Sequence, residues 1–207
     1  KERLALSFRY MKDDPQNNIR VIPPLLRKEV TLHEPYSGDY IHGYMVNAGF
    51  SENVMKWHRQ HPRIPLRFFW DKWEEEPVKR VDNTLSFYQL DDVEFLRQMA
   101  GCKAYASTAG FESVCEAMYL GKPILMVPAH IEQDCNAYDA EKSGAGIISS
   151  DFNLQQLLEF AKDYHPNRDF VYWVRGAEYT LLNLLESDSS NYQQVLFNEM
   201  YLVEEFI

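Results

Sequence analysis

Two short stretches combine glycine, hydroxyl, amide and carboxylate groups at spacings suited to holding a phosphate and sugar hydroxyls. The first is Ser107-Thr108-Ala109-Gly110-Phe111-Glu112-Ser113-Val114-Cys115-Glu116-Ala117, which reads as the turn from a strand into a helix. N–H groups without intrahelical partners and the positive end of the helix dipole meet at such a turn. Together they favour an anion without needing a lysine. Gly110, placed where the chain turns, lets a phosphate approach the backbone, and Ser113 adds a hydroxyl donor. Glu116 follows one turn up the same helix, where its carboxylate can accept both hydroxyls of a ribose. The plainer alternative is that Ser113 and Glu116 are polar residues favoured near a helix start, and spacing alone leaves that alternative ahead.

The second stretch is Pro128-Ala129-His130-Ile131-Glu132-Gln133-Asp134-Cys135-Asn136-Ala137. It follows the next strand, so both stretches fall at the carboxyl edge of a parallel sheet, where open α/β sheets bind ligands. Glu132 and Gln133 offer acceptors and a donor for sugar hydroxyls, and Asn136 can hold the loop. Capping of the following helix explains these residues if they are taken alone. Their pairing with the first stretch at a neighbouring strand end favours a ligand.

The elements that must position these stretches alternate regularly. Strands are expected at Tyr40–Val46, Leu66–Trp70, Leu85–Tyr88, Lys103–Ser107, Pro123–Val127 and Ala145–Ile148. Helices are expected from Ser51 towards His61, then at Asp91–Met99, Phe111–Leu120, Gln133–Ser143 and Asn153–Lys162. Strands of about five residues alternating with helices of about ten imply a parallel sheet covered on both faces. The fold class expected is therefore doubly wound, Rossmann-like α/β. Leu4–Phe8 reads as a short strand, Asp13–Asn18 as a turn, and Val21–Leu26 as an extended connector because of Pro23 and Pro24. Asp71–Val81 reads as a charged loop. Apolar residues at helical spacing from Phe170 to Leu185 predict one long helix. A second amphipathic helix is predicted from Tyr192 to Ile207.

Composition narrows the function classes. Of 207 residues, 45% are apolar and 25% charged, which fits a globular chain. The net charge of −10, from 21 basic and 31 acidic residues, argues against a nucleic-acid binder. Cys102, Cys115 and Cys135 have no metal-site spacing and read as reduced thiols of a cytoplasmic protein. No apolar run reaches the ~20 residues of a membrane span, and no signal peptide is evident. Because the chain opens on Lys1, directly at an apolar stretch, it reads as part of a longer polypeptide. His42 is expected to be a core histidine, and Phe68-Phe69-Trp70 core aromatics. His58 and His61 lack partners for a metal, and Cys115 lacks a base to activate it.

The order Gly110-x-x-Ser113-x-x-Glu116-Ala117-x-x-x-Gly121-x-Pro123, then Pro128-x-x-x-Glu132-Gln133-x-x-Asn136-Ala137, resembles the donor-binding signature of GT-B glycosyltransferases. The nearest likeness is to the branch of the lipid-linked N-acetylglucosaminyl transferase and the macrolide and plant glucosyltransferases. The resemblance implies an inverting, metal-independent transfer of a hexose from a nucleoside diphosphate sugar, most simply a UDP-sugar, with no separate cofactor. It implies that Thr108, Ala109, Gly110, Phe111, Glu112 and Ser113 hold the diphosphate and Glu116 the ribose. His130, Glu132, Gln133 and Asn136 would hold the sugar, while Asn47, Ala48, Gly49, Leu90 and Val93 would line the crevice and base.

It also implies residues 1–28 as the end of an amino-terminal acceptor domain with its linker, and 29–186 as the donor domain. Residues 187–207 would then be a helix crossing back. The general base, and any peripheral membrane contact, would belong to the missing domain. Thr108 and Glu112 depart from the pattern, since many relatives carry histidine and a small polar residue there. An epimerase of the same architecture and a non-catalytic nucleotide-binding domain are the competing readings.

Overall fold

Apolar strands alternating with amphipathic helices build the sheet as anticipated, and the computed structural model describes residues 3–72 and 76–186. The strands are β1 (Arg3–Leu6), β2 (Ile19–Ile22), β3 (Ile41–Met45), β4 (Leu66–Trp70), β5 (Val78–Arg80), β6 (Leu85–Gln89), β7 (Ala104–Ser107), β8 (Ile124–Met126) and β9 (Gly146–Ile148). The helices are α1 (Lys28–Thr31), α2 (Ser51–Gln60), α3 (Asp92–Gly101), α4 (Phe111–Tyr119), α5 (Ile131–Lys142), α6 (Leu154–Phe160), α7 (Arg168–Arg175) and α8 (Ala177–Glu186). The described residues divide into two compact units, one within 26–170 and one of 3–25 with 171–186. The helix expected at Tyr192–Ile207 lies outside the described residues.

In the larger unit seven strands form one sheet in the order β5-β6-β4-β3-β7-β8-β9. All neighbours are parallel except β5, which runs antiparallel to β6. This is the doubly wound α/β fold. β5 lies inside the stretch expected to be a loop. Pro77 and the surrounding charge hide it, and an edge strand with one free side accommodates both.

Period-2 alternation sorts the strands onto two faces. Ile41, Met45, Phe68, Trp70, Phe87, Ala104, Ala106 and Leu125 pack with Val54 and Trp57 of α2 and with Leu154 and Leu157 of α6. Gly43 is required on this face, because a Cβ there would sit 2.2 Å from the Phe68 ring. On the other face His42 lies flat against Tyr105, with ring centroids 5.3 Å apart, and meets Phe69 and Phe95 edge-on.

In the smaller unit β1 and β2 pair in parallel, from Arg3 beside Ile19 to Leu6 beside Ile22. Ile19–Ile22 is thus a strand, ended by Pro23 and Pro24, where an unpaired connector was expected. The Trp173 indole N–H donates to the Ser7 carbonyl at 3.0 Å, and Tyr10 packs edge-on against the same ring. The single long helix expected from Phe170 to Leu185 is instead two, α7 and α8, separated at Gly176. Glycine loses the most backbone freedom in a helix, so a helix end is cheapest there.

His42 is fully buried, and neither ring nitrogen has a hydrogen-bond partner. Burial, aided by the charge of Arg67, pushes the imidazole down from 6.5 to about 3. The unfolded chain therefore binds this proton more tightly than the folded one. Stability is full above pH 6.5 and is lost as pH falls toward the folded value, by up to about 1.4 kcal/mol per pH unit. Comparing chemical denaturation of the wild type and His42→Phe between pH 7.5 and 5, we expect the wild type to lose stability relative to the variant. Parallel pH profiles would refute the assignment.

Candidate functional site

Register decides which loops meet. Tyr44 lies beside Ser107, and Ser107 beside Met126, so β3, β7 and β8 end together. The turns leaving them, at Asn47, Thr108–Gly110 and Pro128–His130, share the carboxyl edge of the sheet. Cross-loop hydrogen bonds fix them to one another. The Val46 N–H donates to the Thr108 hydroxyl at 3.3 Å, and the Asn136 amide donates to the Ala109 carbonyl at 3.3 Å. The two stretches singled out in the sequence are therefore in direct contact.

The turn into α4 is built differently from the expectation. Gly110 has φ −62 and ψ 132, open to any residue, and serves as the N-cap without a side chain to close the helix start. The left-handed residue is Ala109, at φ 59. It is buried, and its N–H donates to the Ser107 hydroxyl at 3.0 Å. A Cβ on Gly110 would meet only the Ser113 hydroxyl, at 3.7 Å. Folding therefore does not demand glycine at 110, and the open space lies over the start of α4.

Thr108 is fully buried, with its hydroxyl engaged by Val46. Ser113 donates its hydroxyl to the Gly110 carbonyl at 3.2 Å, and Glu112 is exposed, away from the core. Gln133 is buried and turns its carbonyl oxygen back to accept the Ala129 N–H at 2.8 Å, ordering the second loop. His130 and Glu132 are exposed at the start of α5, whose N-cap His130 makes no side-chain cap. Asn47 accepts the Gly49 N–H at 2.8 Å, which shapes the turn after β3 through Ala48. Leu90 and Val93 are exposed around Asp91, which caps α3 through the Glu94 N–H at 2.8 Å. Among the described residues no group of three or more His, Cys, Asp or Glu is placed to hold a metal ion.

Glu116 is a buried carboxylate held by a cation. Its side chain is 1% exposed, and Arg27 grips both carboxylate oxygens, Nε to Oε1 at 2.6 Å and Nη2 to Oε2 at 2.9 Å. Arg27 Nη1 also lies 3.2 Å from Asp92, in the first turn of α3. Burial raises the Glu116 carboxyl above its ordinary value, Arg27 opposes that rise, and Glu112 and Asp92 add to it. Arg27 was read from the sequence only as part of a linker. No local signal connects it to a carboxylate 89 positions away.

The family model for glycosyl transferase family 1 matches residues 2–164. A Caenorhabditis elegans protein named for UDP-glucuronosyltransferase, ugt-48, is 26% identical over 105 residues, 50% of this chain and 20% of that protein. The glycotransferase of kitacinnamycin superposes with a TM-score of 0.55 at 13% identity, covering 79% of this chain and 46% of the other. Arabidopsis thaliana UGT89C1, solved with quercetin, gives 0.52 at 15% identity, covering 87% and 49%. LpCGTa, solved with UDP, gives 0.50 at 15% identity, covering 88% and 47%. The chain spans a fifth of the curated relative and just under half of each of these structures.

The Val46–Thr108 hydrogen bond joins two loops of this edge, so its loss should be measurable. Thr108→Val keeps the shape and removes the acceptor. We expect a destabilisation of about 0.5–1.5 kcal/mol in urea unfolding, with faster amide exchange at Val46. Unchanged exchange at Val46 would show that the bond does not hold the loop.

Proposed function

The chain belongs to glycosyl transferase family 1, and on that premise we propose that it is the donor-binding half of a glycosyltransferase that uses a nucleoside diphosphate sugar. The observation that carries this reading is the uncapped start of α4 at Gly110, open at the carboxyl edge and stitched to the sugar-side loop through Asn136 and Ala109. First-turn N–H groups and the helix dipole there suit a diphosphate, both as ligand and as leaving group. UDP is the favoured nucleotide, supported by the curated relative's name and by the neighbour solved with UDP.

In this reading the chain's residues hold and orient the donor. Gly110 to Ser113 receive the diphosphate, Leu90 and Val93 border the base, and Glu116 takes the ribose. The exposed His130 and Glu132, with the loop that Gln133 and Asn136 order, face the sugar. The transferred group is a hexose and the reaction inverting and independent of metal. Breaking the bond from the anomeric carbon to the diphosphate places negative charge on the phosphate oxygens, which the helix start stabilises. The base that deprotonates the acceptor is assigned to a domain outside this chain.

The test is titration calorimetry at low salt with UDP and with uridine. UDP should bind at least about tenfold more tightly, because each charge-assisted bond to phosphate is worth about 1.5–3 kcal/mol. Gly110→Ala should cut UDP affinity by about tenfold while costing only about 0.5–1 kcal/mol of stability from the poorer N-cap. Equal affinities for UDP and uridine would overturn the phosphate site.

A further inference from the structure

Glu116 is the residue suited to a ribose, yet as the chain stands its carboxylate is closed to solvent. The side chain is 1% exposed, while Arg27, which lies on it, is 29% exposed. The covering group is therefore the outer one. Arg27 precedes α1 as its N-cap residue, where a donor-only guanidinium cannot cap the first-turn N–H groups. It reaches instead to the two acidic groups nearest it. Glu116 is gripped through both oxygens, and Asp92 lies at 3.2 Å with a side chain 80% exposed.

Resting on the ribonucleotide reading above, we propose that Arg27 is a displaceable cover on Glu116, a contact that a nucleotide's ribose hydroxyls exchange for their own. The charges around the site make such an exchange workable. Glu116 is faced by Arg27 from the segment before α1, by Asp92 from α3 and by Glu112 from its own helix, with Tyr105 of β7 and Cys115 beside it. Burial and the two neighbouring carboxylates raise the Glu116 carboxyl, and Arg27 opposes that rise. When a ribose arrives, its two hydroxyls replace the two guanidinium bonds, and Arg27 retains Asp92 as a partner already in place. Asp92 adjoins Val93 in the first turn of α3, expected to border the base, so occupation of the base and ribose positions is linked through one side chain.

The exchange separates from phosphate binding when UDP is compared with 2′-deoxy-UDP, because the diphosphate cancels in the ratio of affinities. Arg27→Ala removes the cover and exposes Glu116 to water. The UDP-to-deoxy-UDP affinity ratio should then rise about three- to tenfold over wild type, the modest worth of a partly exposed pair. In Arg27→Ala/Glu116→Gln the ratio should fall back to wild type or below. A ratio that is unchanged or lower in Arg27→Ala would overturn the proposal and make Arg27 a support for the ribose site.

A second measurement needs no variant. The Arg27 Nε–H resonance of the wild-type chain should shift or broaden on saturation with UDP, and less with 2′-deoxy-UDP. A resonance that stays in place at saturation also overturns the exchange. If wild type fails to bind UDP at all while that resonance still reports the Arg27–Glu116 pair, the donor-site reading itself has failed.

Discussion

β7 is hydrogen-bonded along both edges, to β3 and to β8, and that double pairing constrains everything at the site. Parallel pairing in register brings three strand ends to one level, so three turns emerge within reach of one another. The strand is short and wholly buried, Ala104-Tyr105-Ala106-Ser107. Its two alanines belong to the same core as Phe152, Leu154 and Leu157, where larger residues would push that layer away. Slipping β7 by one residue would bring Tyr105 and Ser107 to this alanine face and detach the Thr108 hydroxyl from Val46. Site geometry is thus a consequence of core packing.

The turn after β7 stores strain where the chain must change direction. A left-handed alanine costs about 1–2 kcal/mol relative to its ordinary conformation. Here the surroundings hold it: its N–H is bound by Ser107, its carbonyl by Asn136, and its methyl is buried. The residue that bears the strain is therefore one step before the residue that stays open. That separation leaves Gly110 in ordinary backbone geometry over the start of α4. In a chain of net charge −10, a phosphate site depends on such local backbone donors more than on the overall field.

Much of this was legible in the sequence because it rests on periodicity. Strands of β-branched and aromatic residues separated by amphipathic helices dictate the parallel sheet. The order of Gly110, Ser113, Glu116, Gln133 and Asn136 marks its carboxyl edge. What was not legible depends on pairing at a distance or on a single backbone angle. The left-handed position fell on Ala109 because the loop is braced by side chains from elsewhere, while the glycine rule points to Gly110. β5 is specified by its pairing with β6 rather than by its own residues, and Pro77 disguises it. The long apolar pattern after Phe170 continues across Gly176, so periodicity alone could not show the break.

The Arg27–Glu116 pair belongs to the same class of long-range facts, and a buried cation of the larger unit shows why its character matters. Lys122 is 4% exposed and donates its ammonium to the carbonyls of Tyr36, at 2.7 Å, and Cys102, at 3.0 Å. Those carbonyls lie at the amino end of β7, beside the end of α3, where the helix dipole favours a cation. Burial lowers its affinity for the proton, yet its partners are fixed neutral groups of the main chain, so nothing from solution competes for it. Arg27 stands at the opposite edge, less buried, against carboxylates whose bonds a hydroxylic ligand can replace. One cation is locked by backbone and the other is held by exchangeable charge. The exchangeable one sits at the edge of the sheet where ligands bind.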